Sequence, residues 1–454
     1  MELIEAPASV GQRLLWFLGH FRSKDRALSC PVIFRATGPL TAGDLEAAVD
    51  LLVQRHEALR TTYAGRGRRL VQRVHAPRRT PVIERRLGDE SELAAALDRE
   101  LATPIDATDW PLRLTLLRIG PEDAVFCLNL HHLGGDAWSG GVLFRELVAA
   151  LDARGAAPDL PAVAWQYRDF SEFQAQLLAS DESARHREFF AEALLGACAP
   201  RIPVAPEPPA GSSVQMARAR STVPLDRVRR LEALAVRSRA TLFSVLLAAY
   251  FCALRRVTGQ DDLTVTTLYA NRQRPELRHT VGFIANLVPI RARLSGAHSV
   301  ERAIEVAHRA SSSGFVHQAI PYQMLPSGGV ERADVRPDDI VFQMMPEPMG
   351  QVRARGATLQ VLVPDGVGSR FLLEMSIAPH PAGLDALLFY RADRIDSGVA
   401  EQLLRAYAEE IERFARAEAP RPQLWATVGT PERAARARIG PGSRGGAPPV
   451  RTSS

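Results

Sequence analysis

The sequence predicts an α/β protein built from two lobes, and three observations carry that prediction. At 454 residues the chain is longer than a single hydrophobic core usually serves. Apolar residues make up 46% and charged residues 24%, the balance of a soluble globular enzyme. Strand-like and helix-like periodicities alternate on both sides of a Pro-rich crossing, Ala199-Pro200-Arg201-Ile202-Pro203 to Pro208-Pro209-Ala210-Gly211-Ser212-Ser213, which reads as a surface linker.

The first lobe is read at residues 1–176. Thr41-Ala42-Gly43-Asp44 opens a helix that puts Leu45, Val49 and Leu52 on one face. Strands follow at 112–119 and 124–132, then a helix from Ala137 to about Leu151. Asp159-Leu160-Pro161 is a turn, and a helical segment through Phe170, Phe173 and Leu177 closes the lobe. The second lobe is read at 177–426. Asp226 is placed to cap a helix running to about Arg239, and residues 242–258 form another. A β-branched strand spans 263–268 and a helix spans 300–312. Strands are expected at 341–345, 359–362, 371–377 and 386–390, before a last amphipathic helix at 399–415. Residues 427–454 combine Gly, Pro, Ser and Arg with little apolar spacing, and are expected to be a disordered tail.

Composition narrows the function classes. The formal net charge is +5 and Lys24 is the one lysine among 56 basic residues, an arginine bias that fits a GC-rich genome. No basic run is interleaved with aromatics, so nucleic acid is not expected as a partner. A mildly basic surface suits an acidic protein partner. Cys30, Cys127, Cys198 and Cys252 are scattered and form no Cys-x-x-Cys pair, which argues against a zinc site and a disulfide framework. The N-terminus lacks a basic-then-apolar signal pattern, and the longest apolar stretch, 242–254, is too short to span a bilayer. The expectation is a cytoplasmic protein without membrane contact.

The chemistry is concentrated at one junction. Two histidines, His131 and His132, end the apolar run 124–130, and Leu133-Gly134-Gly135-Asp136 follows. If 124–132 is one strand, successive side chains face opposite ways, so His132 shares a face with Leu128 and Leu130 while His131 looks the other way. A histidine at a strand end beside a Gly-Gly bend is suited to proton transfer near neutral pH. Taken alone, such a pair is usually structural, and Asp136 reads as the cap of the next helix. The full spacing, His-His-x-x-x-Asp-x-Trp-Ser, running into Gly141-Val142-Leu143-Phe144-Arg145-Glu146-Leu147, argues for more.

That spacing resembles the signature of nonribosomal peptide synthetase condensation domains, in the chloramphenicol acetyltransferase superfamily. Six further segments are similar to the family's other motifs, in family order. They are Ser9 to Leu18, Arg55 to Tyr63, Trp165 to Phe170, Val281 to Arg291, His317 to Tyr322, and Asp338 to Gln343. The resemblance implies two acyltransferase-like lobes set in a V-shaped pseudo-dimer around a central tunnel. It implies that His132 sits at the tunnel's midpoint as the catalytic residue, with His131 behind it. It also implies that Asp136 forms a bracing ion pair with Arg291. Arg13 and Arg60 are expected to brace the first lobe and Trp138 to anchor its helix in the core. His56 and His317 are given no catalytic role. Ala137 stands where the family usually has glycine, a mild change if the backbone there is helical.

The implied reaction is acyl transfer from a thioester to an amine or alcohol, forming an amide or ester in secondary-metabolite biosynthesis. The donor would arrive on the phosphopantetheine arm of a separate carrier protein, and the acceptor would be a small molecule or carrier-bound nucleophile. No cofactor or metal is expected on this chain. Leu133-Gly134-Gly135-Asp136-Ala137 mimics a carrier's attachment site, but the serine position holds Ala137. With no adenylation or thioesterase signature, the chain is expected to be freestanding. Two alternatives are carried forward: a catalytically silent recruitment module, and an epimerisation domain, for which the extra acid-base glutamate motif is not found.

Overall fold

The structure is a computed structural model that describes residues 3–21, 28–65, 69–153, 155–209, 214, 216–325, 335–345, 351–362 and 371–417. The tail expected at 427–454 lies outside the described residues. In the N-terminal half the strands are β1 Ile4–Pro7, β2 Ser29–Thr37, β3 Thr61–Ala64, β4 Val71–Val74, β5 Val82–Arg86, β6 Leu112–Gly120 and β7 Asp123–His131. The helices are α1 Val10–Phe21, α2 Ala42–Arg55, α3 Leu93–Ala102, α4 Ala137–Asp152, α5 Tyr167–Leu178 and α6 Asp181–Ala193. The C-terminal half contributes strands β8 Met216–Pro224, β9 Asp262–Tyr269, β10 Asn286–Arg293, β11 Ile340–Met344, β12 Val352–Ala354, β13 Ala357–Val361, β14 Leu373–His380 and β15 Gly383–Arg391. Its helices are α7 Leu225–Arg237, α8 Leu242–Thr258, α9 Val300–Val316 and α10 Ser397–Ala415.

Two six-stranded mixed sheets organise most of these elements, and β1, β4 and β3 form a separate three-stranded sheet in that order. The first has the order β12-β13-β2-β7-β6-β5. Strand β7 is antiparallel to both neighbours and paired to its end, with Ser29 opposite His131 and Leu112 opposite Leu130. Both of its faces are buried. Phe126, Leu128 and Leu130 pack under α2 and α4, while Val125 and Cys127 pack under α3. This double burial explains why 124–130 reads as a continuous apolar run. The strand ends at His131, one residue before the expected end, and His132 begins a single 3-10 turn.

The second sheet has the order β10-β9-β11-β14-β15-β8. Its core is built on α8, buried from Ser244 to Leu254, with α9 and α10 beside it. That burial accounts for the long apolar stretch at 242–254. Among the described residues no single helix is long and apolar enough to cross a membrane.

The chain crosses back between the sheets. The strand read at 359–362 belongs to β13, which pairs antiparallel with β2, so it extends the first sheet rather than the second. Leu277, Val281 and Ile284 also come from the C-terminal half and pack in the first sheet's core. The described part of the Pro-rich crossing is docked rather than free. Ala199 and Ile202 are buried in the second core, and the Ala205 amide donates to Arg394 O at 2.8 Å. Asp226 is not the cap of α7; Pro224 holds that position, and Asp226 sits in the first turn.

Candidate functional site

The turn after β7 is set by hydrogen bonds that begin with His131. Its Nδ1 accepts the Leu133 amide at 3.1 Å, so the ring caps the one-turn helix His132–Gly134. His131 is buried, and burial, reinforced by His132, pushes its pKa down to about 4 against a smaller opposing pull from Asp106. The ring is therefore a neutral structural acceptor at physiological pH.

His132 is only half-buried. Its Nδ1 lies 2.7 Å from Gly135 O, and a carbonyl can only accept, so Nδ1 carries the proton in this bond. In the neutral ring the lone pair then belongs to Nε2, the tautomer a general base needs. The Phe283 ring stands edge-on against His132, with centroids 5.1 Å apart at 86°.

Asp136 closes the turn and starts α4. Its Oδ1 accepts from the Ser139 amide at 2.9 Å, which makes it the helix cap. The same carboxylate forms the buried ion pair of the site, but not with Arg291. Arg272 Nη1 reaches Oδ2 at 2.9 Å and Nη2 reaches Oδ1 at 3.0 Å, with the two side chains 1% and 4% exposed. The amides of Ile284 and Ala285 donate to Oδ2 at 3.0 and 2.9 Å. Burial raises the Asp136 pKa, but the Arg272 charge and the bonds from Arg272 and Ser139 outweigh it and hold the carboxyl below its usual range.

Arg291 binds Asp262 instead, Nε to Oδ1 at 2.8 Å and Nη2 to Oδ2 at 2.7 Å, and ties Leu195 O to β10. The reason is register. Strand β10 leaves the site at Asn286, and five residues at about 3.3 Å each carry Arg291 roughly 16 Å away. Arg272 was not singled out from the sequence. It lies just past β9, in a polar loop behind Asn271, whose φ is +54°. In so arginine-rich a chain, nothing in its local spacing marks it.

Gln12, Tyr63 and Tyr167, from three of the other motifs, brace this turn and the Phe283 segment beside it. Gln12 Nε2 and Tyr63 OH both donate to Leu133 O, at 3.2 and 3.0 Å. Tyr167 OH donates to Phe283 O at 2.8 Å and lies 2.8 Å from Ser9 Oγ. Asn286 Nδ2 donates to Gln318 O and Ile320 O, at 2.8 and 2.7 Å, tying the His317 to Tyr322 segment to the Val281 to Arg291 segment. Arg13 Nη1 donates to Ala8 O and Arg60 Nε to Val53 O, both within the N-terminal half of the chain. His56 is fully buried against Glu146 at 2.7 Å, and His317 stacks on Phe189 with centroids 3.9 Å apart. Ala137 begins α4, with no positive φ. Trp138 departs from expectation: it is 40% exposed, and its Nε1 donates to Arg278 O at 3.0 Å, strapping the helix start to the Arg272 loop.

Two expected outcomes follow from these contacts. A Cβ on Gly282 would fall 1.8 Å from Tyr167 Cδ2, on a rigid ring held at its hydroxyl. Gly282→Ala therefore displaces the loop that delivers the Ile284 and Ala285 amides, and thermal melting should show a loss of at least about 1–3 kcal/mol. For His131, folding lowers the pKa from 6.5 to about 4, so between those values the unfolded chain binds more protons. Its stabilising contribution is complete above pH 6.5 and is lost as pH falls toward 4, on the order of 3 kcal/mol in all. His131→Asn keeps an acceptor for the Leu133 amide but does not titrate. Its melting temperature should fall less than that of the wild type between pH 7 and pH 4.5.

Three of the cysteines carry no activated thiol: burial pushes Cys30 and Cys127 up to about 12 and Cys252 up to about 11. Among the described residues no group of three His, Cys, Asp or Glu is placed to hold a metal ion. The arrangement is a half-buried imidazole in a defined tautomer, on a turn clamped from both halves of the chain. It can accept one proton and return it.

Comparison with known proteins fits this geometry. The condensation-domain family model matches residues 4–415. A linear gramicidin synthase of Brevibacillus parabrevis is 30% identical over 428 residues, covering 88% of this chain and 5% of that protein. Phosphinothricin tripeptide synthetase PhsC of Streptomyces viridochromogenes is 32% identical over 333 residues, covering 70% of this chain and 30% of its own length. The chain thus spans a small part of the large synthetases it matches. Among solved structures, SgcC5 from Streptomyces globisporus superposes with a TM-score of 0.73 at 25% identity, covering 91% of this chain and 100% of that one. The X-domain from teicoplanin biosynthesis superposes with a TM-score of 0.81 at 22% identity, covering 90% and 94% of the two chains.

Proposed function

This chain belongs to the condensation-domain family, and from that premise we propose that it transfers an acyl or aminoacyl group from a carrier-bound thioester to an amine or alcohol. The product is an amide or ester of nonribosomal peptide or related secondary metabolism. The observation that carries the reading is the 2.7 Å bond from His132 Nδ1 to Gly135 O, which puts the neutral ring's lone pair on Nε2, the atom that takes the acceptor's proton in this reading.

In this reading the acceptor N–H or O–H is held against Nε2 and gives up its proton as its heteroatom attacks the thioester carbonyl. The tetrahedral intermediate collapses by breaking the C–S bond. The departing thiolate then takes the proton back from the imidazolium, so the ring ends neutral. A positioned base of this kind contributes about 10²–10⁴ in rate, and holding both reactants in one site removes a further entropic barrier. His131 supports the turn and Asp136 fixes it through Arg272; neither touches the reacting atoms.

The donor in this proposal rides the phosphopantetheine arm of a separate acyl or peptidyl carrier. The purified protein should turn over a small pantetheine-like thioester with an amine, and should give no amide from the free acid even with ATP. Mass spectrometry of the products checks both. Amide formation from free acid and ATP alone would contradict the reading.

A second reading is a silent recruitment module. The observation favouring it is the likeness to the X-domain fold, one member of which has been solved in complex with OxyB from teicoplanin biosynthesis. Against it stand the intact His132 tautomer and the six-fold hydrogen-bonded Asp136.

A further inference from the structure

A narrow cleft runs along the Val281 to Arg291 segment, lined by Gly11, Gln174, Asn271, Asn286, Pro321 and Gln323 among others, with Phe283 in its wall. The same Phe283 ring is the one set edge-on against His132. Phe283 thus touches both the cleft and the imidazole. It comes from the C-terminal half but is 8% exposed, seated among Leu15, Tyr63 and Leu133 of the N-terminal half. Its seat is cut to size: a Cβ on Gly11 would lie 2.8 Å from Phe283 Cε1, so only glycine leaves the ring this place. The cleft itself has a volume of about 20 Å³, room for one water molecule and too little for a substrate group.

We propose that Phe283 is the residue that sets the size limit on what reaches His132 from this cleft. The inference rests on the catalytic reading of His132 for its consequence, but not for its first test. Among the described residues the lining carries no charged side chain. A charged group entering it would lose its hydration without a partner, so the substituent admitted is uncharged. With the phenyl ring in place only small acceptors approach Nε2. Shortening the side chain joins the cleft to the imidazole and admits bulkier uncharged ones.

The first test reads accessibility and needs no turnover. Wild type, Phe283→Ala and Phe283→Leu are treated with diethyl pyrocarbonate, and each histidine's modification rate is mapped by peptide mass spectrometry. His56, fully buried, reports unfolding, and His380, exposed, reports reagent strength. His132 should be modified several-fold faster in both variants, more in Phe283→Ala, with His56 and His380 unchanged. An unchanged His132 rate, or a rise shared in step by His56, overturns the proposal. The second test compares kcat/KM for a small and a bulky uncharged amine with the same thioester. Phe283→Leu should shift the ratio several-fold toward the bulky amine; an equal loss on both shows a packing residue only. Selective labelling with no turnover by any variant would refute the catalytic reading while leaving the barrier intact.

Discussion

His132→Ala is expected to abolish acyl transfer while leaving the protein folded. The side chain is half-buried, and its Nδ1 bonds Gly135 O. Losing a single hydrogen bond of this kind costs about 0.5–1.5 kcal/mol, a small shift in melting temperature for a chain of this size. The loss in rate is far larger, about 10²–10⁴, because no other group described at the turn is placed to take the acceptor's proton. His131→Asn separates the two histidines: it preserves the cap on Leu133 and should retain most activity. The measurement is initial rate with a small thioester and amine, alongside thermal melting. A folded His132→Ala protein that turns over like wild type would remove His132 from the mechanism.

The second large effect concerns the brace. Asp136→Ala and Arg272→Ala should each destabilise by roughly 3–5 kcal/mol, because each leaves the other charge buried and unpaired. Asp136→Ala should be the worse of the two, since it also releases the Ile284 and Ala285 amides and the cap on Ser139. The double variant should cost clearly less than the sum. Arg291→Ala breaks a different pair, with Asp262, and combined with Asp136→Ala should be close to additive. Denaturant unfolding of the two double-mutant cycles decides between the partners. Strong coupling of Asp136 to Arg291, and none to Arg272, would contradict the structure.

What the sequence revealed and what it hid follow one rule. Features set by neighbours along the chain were legible. Helix α8 was read at its observed bounds because its apolar run is local. The cap role of Asp136 follows from a few adjacent residues. Features set by long-range pairing were not. Arg272 meets Asp136 across 136 positions, through a loop with no periodicity. Strand β13 has the pattern of any half-buried strand, and nothing local says that it pairs with β2. Trp138 was expected in the core because large aromatics usually pack, but its Nε1 is needed at Arg278 O and holds the ring at the surface. The motif resemblance supplied an arginine in the right region, and strand register decided that it was the wrong one.

The central claim is that the turn at His132 moves an acyl group off a carrier rather than merely docking a partner. The most direct measurement is single-turnover intact-mass analysis of a phosphopantetheinylated carrier loaded with an acyl group, mixed with stoichiometric protein and an amine. The account predicts that wild type returns the carrier to its free-thiol mass as the amide appears, and that His132→Ala leaves the carrier loaded. A carrier unloaded equally by both proteins, or left loaded by both across a panel of donors and amines, would contradict it.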